Sequence, residues 1–310
     1  MTTAIKLGTR GSTLALWQAE WVKAALAQCG VAVALEIVKT RGDADIDRPL
    51  HQLEGTGFFT KEIEDALLDG RIDVAVHSLK DLPTTMPEGL ALGAVPRRAD
   101  AAEALVTRDA RVASLASLPA GATLGTSSLR RTAQVRYLRP DVAIVPLRGN
   151  VPTRVQKVKD GRDGLAAALL AAAGLERLQL ADRIAARLDP LEVMPAPGQG
   201  ALGLQVRADD ARSRAALTPL DDPASARQIT AERGLLAALG GGCQAPVAAY
   251  CGTRDAGIGT GDVLYGRVTA QDGSVQITAS ADIEERNPAA AGARVADLLR
   301  AQGASRLLGR

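Results

Sequence analysis

A short apolar strand that enters a Gly- and hydroxyl-bearing turn and continues as a helix recurs along this 310-residue chain. No other feature limits the possible folds as much. Ala4–Leu7 runs into Gly8-Thr-Arg-Gly-Ser12, Ala122–Leu124 into Gly125-Thr-Ser-Ser128, and Val142–Leu147 into Arg148-Gly-Asn150, with Pro152 near the first turn of the helix that follows. Such strand–turn–helix units predict an α/β protein. Each turn also presents backbone N–H groups at a helix start, where an anion is favoured. Ser12 equally suits a plain N-cap, and one residue can do both.

Further strands are predicted at Val31–Val38, Ile72–Val76, Ala91–Val95, Ala104–Thr107 and Ala201–Val206. The helix after Ser12 is expected to bury Leu14, Trp17, Trp21 and Ala24 on one face, and a second helix covers Thr60–Leu68, ended by Gly70. Gly164–Leu175, rich in Ala and Leu, fits a helix by propensity and a buried strand by its unbroken apolar run; both readings stay open. Pro96–Asp100 reads as a crossing between domains, and Pro195–Gly200 is a Pro/Gly punctuation ahead of the strand Ala201–Val206. Beyond Asp221–Pro223 come a helix (Ser225–Leu239), a strand (Pro246–Cys251) and a hairpin of Leu264–Ala270 with Ser274–Ala279, turning at Gln271-Asp-Gly273. A last helix lies near Ala289–Ala301. That tail reads as a small α+β domain.

The length suits two or three domains, and 46% hydrophobic with 23% charged residues describes an ordinary globular protein. No apolar run approaches a membrane span and no signal-peptide region precedes Thr9, so a cytoplasmic protein without membrane contact is expected. Three cysteines (Cys29, Cys243, Cys251) give no disulfide framework. With His51 and His77 as the sole histidines, neither a metal site nor a Ser-His-Asp mechanism is expected.

The net charge of +2 hides a local asymmetry. Between Thr126 and Arg162 nine basic residues face only Asp141 and Asp160, which marks a polyanion or polycarboxylate site. Thr126, Ser127 and Ser128 at a helix start, with Arg130 and Arg131 close behind, suit a carboxylate or phosphate. Arg10, Arg148 and Arg154 occupy comparable strand-end turns. Ser78, Lys80 and Asp81 follow the strand Ile72–Val76 directly, at the strand end where open α/β sheets bind ligands; taken alone they would read as a surface turn with a Lys–Asp pair. Phe58 and Phe59 suit either an aromatic lid over a flat ligand or a staple for the next helix. Gly240, Gly241 and Gly242 end a helix and deliver Cys243 onto a loop. A lone cysteine is more often a small buried apolar residue than a nucleophile or an attachment point.

Taken in order, GTRGS (8–12), HSLKDLP (77–83), GTSSLRR (125–131), LRGN (147–150), PGQGA (197–201), TAERG (230–234) and GGCQAP (241–246) resemble the porphobilinogen deaminases, also called hydroxymethylbilane synthases. The resemblance runs from Lys6 to about Tyr250, and the last sixty residues match only in general pattern. It implies an α/β protein of three domains. Two would be lobes like those of a type II periplasmic binding protein (residues 1–96 with 200–218, and residues 97–199), followed by a C-terminal α+β domain, residues 219–310. It also implies a transferase that joins four porphobilinogen molecules head to tail into hydroxymethylbilane, releasing ammonia. The family's dipyrromethane cofactor would be held through a thioether to Cys243.

By the same resemblance Asp81 is the catalytic carboxylate. Arg10, Ser12, Gln18, Ser78, Lys80, Thr126, Ser127, Ser128, Arg130, Arg131, Arg148, Arg154 and Gln199 bind cofactor and substrate. A monomer is implied, without nucleic acid, whose product passes to uroporphyrinogen-III synthase. Thr56 stands where the family often has a lysine, and Thr13 where a proline is usual. Two other classes share part of this pattern. A non-catalytic solute-binding protein would share the two lobes and leave Cys243 unmodified. Nucleic-acid binding through the arginine segment is disfavoured by an aromatic content of 2%.

Overall fold

The computed structural model describes residues 4–40, 60–240, 245–253 and 261–309. Cys243, Thr56, Phe58 and Phe59 lie outside these residues. Among the described residues the strands form three sheets. The first contains β1 (Ile5–Thr9), β2 (Val33–Ile37), β3 (Val74–Ser78) and β4 (Leu90–Ala94), joined by β10 (Leu202–Arg207) from far along the chain, in the order β2-β1-β3-β10-β4. β1 pairs in parallel with β2 and β3, whereas β10 runs antiparallel to β3 and β4.

The second sheet repeats this plan. It holds β5 (Glu103–Thr107), β6 (Thr123–Gly125), β7 (Ala143–Val145), β8 (Leu165–Ala171) and β9 (Ala186–Leu188) in the order β7-β6-β8-β5-β9. Here β6 is parallel to β7 and β8, and β5 is the antiparallel strand. The antiparallel strand of each sheet is thus the one reached by crossing from the other sheet: β5 follows β4, and β10 follows β9. The two sheets with their helices form two α/β lobes of one plan. In both, the carboxyl ends of the parallel strands lie on one edge, where a ligand site is expected.

Helices cover both faces of each sheet, so β3, β10, β5 and β8 are buried along most of their length instead of alternating. In the first lobe α1 (Thr13–Gln28) packs Ala19, Val22 and Leu26 on Leu7, Val76 and Leu204, while α2 (Lys61–Leu68) packs Ile63 and Leu67 near Ala75 on the opposite face. The predicted inward face of α1 is therefore corrected: Trp21 is 41% exposed and Ala24 is exposed, because the sheet is met by the small and branched side chains one position round the helix. In the second lobe α3 (Leu129–Leu138) places Val135 beside Leu105, Ala167 and Leu169. Across the sheet α4 (Val151–Lys159) places Val155 and Val158 beside Ala104, Val106, Ala168 and Leu170. This decides the ambiguous Ala/Leu run. Residues buried on both faces form β8, and α5 (Ala172–Arg177) begins at once after it.

The remaining sheet, β11 (Val247–Thr253), β12 (Asp262–Thr269) and β13 (Gln276–Asp282), is an antiparallel meander. After α6 (Ala211–Leu217), the helices α7 (Pro223–Ala238) and α8 (Pro288–Ala301) cover one face of this meander, sharing a core of Leu235, Val247, Leu264, Val268, Val295 and Leu299; the short α9 (Ala304–Leu307) completes the fold. A side chain at Gly292 would meet the backbone of Leu235, which is why α7 and α8 can cross so closely there. None of the described helices is long and apolar enough to cross a membrane.

One buried carboxylate joins this C-terminal domain to both crossings. Glu232 on α7, 0% exposed, accepts from Arg98 through both oxygens (2.7 and 3.0 Å), from the N–H of Gly198 (2.7 Å) and from the N–H of Cys251 (2.9 Å). Arg98 lies on the β4–β5 crossing and Gly198 on the β9–β10 crossing. The crossings also touch: Arg98 Nε donates to the carbonyl of Gln199 at 2.8 Å, and Gly200, at φ 86°, lies so near Ala99 that a Cβ would fall 2.6 Å from its carbonyl oxygen. Removing one member of a buried, fully bonded ion pair typically costs about 3–5 kcal/mol. Glu232→Gln should lower stability on that scale, read as a fall in the urea midpoint; an unchanged midpoint would contradict the assignment.

Candidate active site

The strand ends bring the cations together across the two lobes. On the first lobe, the 3-10 turn Leu79–Asp81 continues directly from β3. Lys80 is half-buried with Nζ 3.4 Å from Oε1 of Gln199, and Asp81 is exposed at the end of the turn. Burial pushes Lys80 down to about 8; Asp81 and Glu103 favour its charge, and Arg131 and Arg130 oppose it. On the second lobe, Arg154 of α4 is pushed down to about 10 by burial and then by Arg131 and Arg148, with Asp81 acting the other way. Asp81 of one lobe and Arg154 of the other therefore face each other electrostatically. Arg10 is half-buried immediately after β1, where its charge, after burial, helps hold His77 near 4 against the bond His77 makes with Gln205.

The hydroxyl residues shape the turns. Ser12 caps α1 by accepting from the N–H of Ala15 at 3.4 Å, and Ser128 caps α3 by accepting from the N–H of Arg131 at 3.4 Å. Thr126 accepts from the N–H of Ser128 (3.2 Å), and Ser127 donates to the carbonyl of Leu147 at 2.9 Å while accepting from its N–H at 3.1 Å. Asn150, also an N-cap, accepts from the N–H of Thr153 at 2.9 Å. Gln18, 2% exposed, donates to Ser78 Oγ at 2.9 Å, fixing the end of β3 to α1. Gln199 is 0% exposed and donates to the carbonyl of Ala101 at 2.8 Å, so it binds one crossing to the other beneath Lys80.

Arg130 and Arg131 are both buried, and they share an acid that no motif singled out. Glu103, the first residue of β5, accepts from Arg130 Nη2 at 2.6 Å through one oxygen and from Arg131 Nε at 2.9 Å through the other. Arg130 also donates to the carbonyl of Met194 (2.6 Å) and Arg131 to that of Leu169 (3.1 Å). Burial alone would raise Glu103, but Arg131 and then Arg130 hold it at about 2. The trio retains one net positive charge next to Lys80. Arg177, at the end of α5, was likewise missed. It reaches over to the first lobe, donating to the carbonyl of Gly200 at 2.7 Å with its guanidinium 6.0 Å from the ring centre of Trp17, and burial pushes it down to about 10. Its signal was positional, since it ends the short helix that follows a central strand.

The donor set suits a group rich in carboxylates. Lys80, Arg148, Arg154 and the trio's surplus charge burden one another, and bound carboxylates would relieve that repulsion through paired N–H donors. The attachment position expected for such a group, Cys243, lies outside the described residues. The chain is described up to Leu239 and Gly240 at the end of α7, and it is described again from Ala245, which packs on the C-terminal core. Phe59 is also outside the described residues. No group of His, Cys, Asp and Glu among those described is arranged to hold a metal ion.

Glu103→Gln tests the trio. A carboxyl held below an ordinary glutamate's 4.5 binds its proton more weakly in the folded chain than in the unfolded one. Its stabilisation is complete above about 4.5 and is lost as the pH falls toward 2. The stability gap between wild type and Glu103→Gln, measured by urea unfolding, should therefore close over that window. A gap independent of pH would refute the trio.

The family model described as "Porphobilinogen deaminase, dipyromethane cofactor binding domain" matches residues 5–215, and "Porphobilinogen deaminase, C-terminal domain" matches residues 226–301. The porphobilinogen deaminase of Syntrophotalea carbinolica is 46% identical over 99% of this chain and 95% of its own length. That of Moorella thermoacetica is 46% identical over 98% and 95%, and that of Chromobacterium violaceum 48% identical over 89% and 88%. Among solved structures the methionine-binding protein MetQ covers 70% of this chain and 89% of its own at 13% identity with a TM-score of 0.41, a likeness too distant to add to the topology above. On the two matched domain models and on identity near one half across almost its whole length, the chain belongs to the porphobilinogen deaminase family.

Proposed function

We propose that the cleft between the two lobes joins four porphobilinogen molecules head to tail into hydroxymethylbilane, releasing ammonia at each addition. The observation that carries this reading is the electrostatic coupling of Asp81 to Lys80 on its own lobe and to Arg154 on the other, with Arg131 acting on both cations and Arg148 on Arg154. Porphobilinogen bears two carboxylates, an aminomethyl group and a pyrrole N–H. A surplus of fixed guanidiniums suits the first, and a single exposed carboxylate among them suits the other two.

Bound through Cys243, a dipyrromethane supplies the free pyrrole α-carbon from which the chain grows. The protein's own residues do the rest. Arg148, Arg154 and Lys80 take the acetate and propionate groups of incoming and extended rings, and the capped helix starts at Ser12 and Ser128 orient them. Arg130 and Arg131, already shared with Glu103, keep their guanidiniums in fixed planes and add a smaller net charge. Arg10 closes the first lobe's side. Asp81 accepts hydrogen bonds from pyrrole N–H groups as positive charge develops on the ring, and it moves protons between the departing amine and the α-carbon that must lose one. Gln18 holds Ser78, and Gln199 holds Lys80, so both keep the turn bearing Asp81 in place. Thr126 and Ser127 fix the turn that starts α3.

The first lobe is assigned residues 1–96 and 200–218, the second 97–199, and the C-terminal domain 219–310. The repeated strand order and the two crossings support these limits. The resemblance to the family supports a cytoplasmic monomer that passes its product to uroporphyrinogen-III synthase.

Purified protein given porphobilinogen should release ammonia and yield material that cyclises to uroporphyrinogen. Asp81→Asn should lower turnover by roughly 100- to 10,000-fold, the range for a lost general acid–base, while the attached cofactor remains. Near-wild-type turnover would remove Asp81 from the mechanism. Lys80, held near 8, is charged below that pH and neutral above it. KM for porphobilinogen should therefore climb as the pH rises through about 8. Lys80→Arg, which stays charged, should lose that limb; the same limb in both proteins would assign it to another group.

A further inference from the structure

The turn that bears Asp81 is held from the C-terminal domain. Arg233 of α7 donates through Nη1 to the carbonyl of Leu82 at 2.8 Å and through Nη2 to the carbonyl of Pro83 at 2.6 Å. These are the two residues that follow Asp81. Leu79 and Leu82, which bracket Lys80 and Asp81, are 0% and 2% exposed and pack with Ile229 and Ala226 of the same helix, and with Val95 and Ala201 of the two crossings. The N–H of Leu79 donates to the carbonyl of Ala201 at 3.0 Å, which ties the entrance of the turn to β10. The exit has a different anchor. Leu82 donates its N–H back to the carbonyl of Leu79 (3.2 Å), and Pro83 has no N–H to give, so the carbonyls of Leu82 and Pro83 are the backbone groups left to fix the exit, and Arg233 takes both.

We propose that Arg233 is a positioning residue for the reaction, holding the carbonyls of Leu82 and Pro83 so that the carboxylate of Asp81 keeps its place in the cleft. The inference rests on the assignment of Asp81 under the proposed function. A planar guanidinium suits the task because it reaches two successive carbonyls with two donors in fixed directions, which an ammonium cannot reproduce. Its neighbour Glu232 binds both crossings, so one turn of α7 sets the crossings and the catalytic turn relative to each other. The same helix runs in sequence toward Cys243. The domain that carries the attachment cysteine therefore also fixes the carboxylate that acts on whatever is attached. Both of these bonds go to backbone carbonyls of the turn, so their effect on the reaction passes through Asp81.

The test uses cofactor-loaded protein, with loading checked by intact mass, and compares Arg233→Gln, Arg233→Lys, Asp81→Asn and the double variant Arg233→Gln/Asp81→Asn. Displacing a reacting group by about an ångström can cost up to a hundredfold in rate. Arg233→Gln is expected to lower kcat roughly tenfold, on that scale, with KM within about twofold of wild type. Arg233→Lys should recover part of the loss. In the Asp81→Asn background, Arg233→Gln should cause no further loss, since no carboxylate remains to be misplaced. Wild-type kcat in Arg233→Gln overturns the inference. So does an equal fractional loss in both backgrounds, which is the mark of general loosening. If Arg233→Gln does not fold, Arg233→Lys carries the same pair of comparisons. Asp81→Asn alone reports on the underlying assignment: turnover near wild type there would sink the role of Asp81, whatever the Arg233 variants do.

Discussion

Glu232 is the contact on which the arrangement of the three domains depends. A carboxylate at 0% exposure is costly to bury unless its lone pairs are filled. Here both oxygens are occupied by Arg98 and by the N–H groups of Gly198 and Cys251. Those partners come from the two crossings and from β11, so the carboxylate is satisfied only when crossings and C-terminal domain are assembled together. From that knot the order spreads to the cleft. Gln199 spans the crossings and meets Lys80, Arg233 fixes the exit of the Asp81 turn, and Arg267 on β12 reaches the carbonyls of Leu191 and Glu192 and the side chain of Gln134 on α3. The C-terminal domain thus grips both walls of the site.

The cleft is left deliberately unbalanced in charge. Glu103 neutralises half of the Arg130–Arg131 pair, and the remaining cations add their repulsion to burial, the first cause of the lowered values of Lys80 and Arg154. Folding bears that repulsion, and a ligand rich in carboxylates removes it. Because each added pyrrole brings two more carboxylates, a growing chain can move through such a surface without leaving it, pairing with different guanidiniums as it lengthens. Asp81 is the exception in sign. Amid cations, a single carboxylate is a definite address for the one positive charge the chemistry generates.

Local chemistry was legible in the sequence where a residue and its partner are close together. The cap at Ser12, the hydroxyl-bearing helix start at Thr126–Ser128, the hairpin at Gln271–Gly273 and the strand-end placement of Lys80, Asp81 and Arg148 could all be read from short motifs. What escaped depends on distant partners. Glu103 is separated from Arg130 by 27 residues, Arg98 from Glu232 by 134 and Arg233 from Leu82 by 151, and nothing local marks any of them as paired. The inward face of α1 was misjudged because hydrophobicity favoured Trp17 and Trp21, whereas a close helix–sheet contact needs Ala15, Ala19 and Val22. Trp17 proves instead to meet Arg177 across the lobes. The Ala/Leu run at β8 stayed ambiguous because burial on both faces erases the alternation that distinguishes a strand.

On the proposed function, the site operates on a pyrrole chain anchored to its own C-terminal domain. The denatured intact mass of the purified protein, measured beside Cys243→Ser, tests it most directly. An excess of two pyrrole units is expected in the parent, gained on incubation with porphobilinogen if the sample was not already loaded, and absent from the variant. A parent that keeps the mass of the bare chain after that incubation, or a Cys243→Ser variant that carries the same excess, would contradict it.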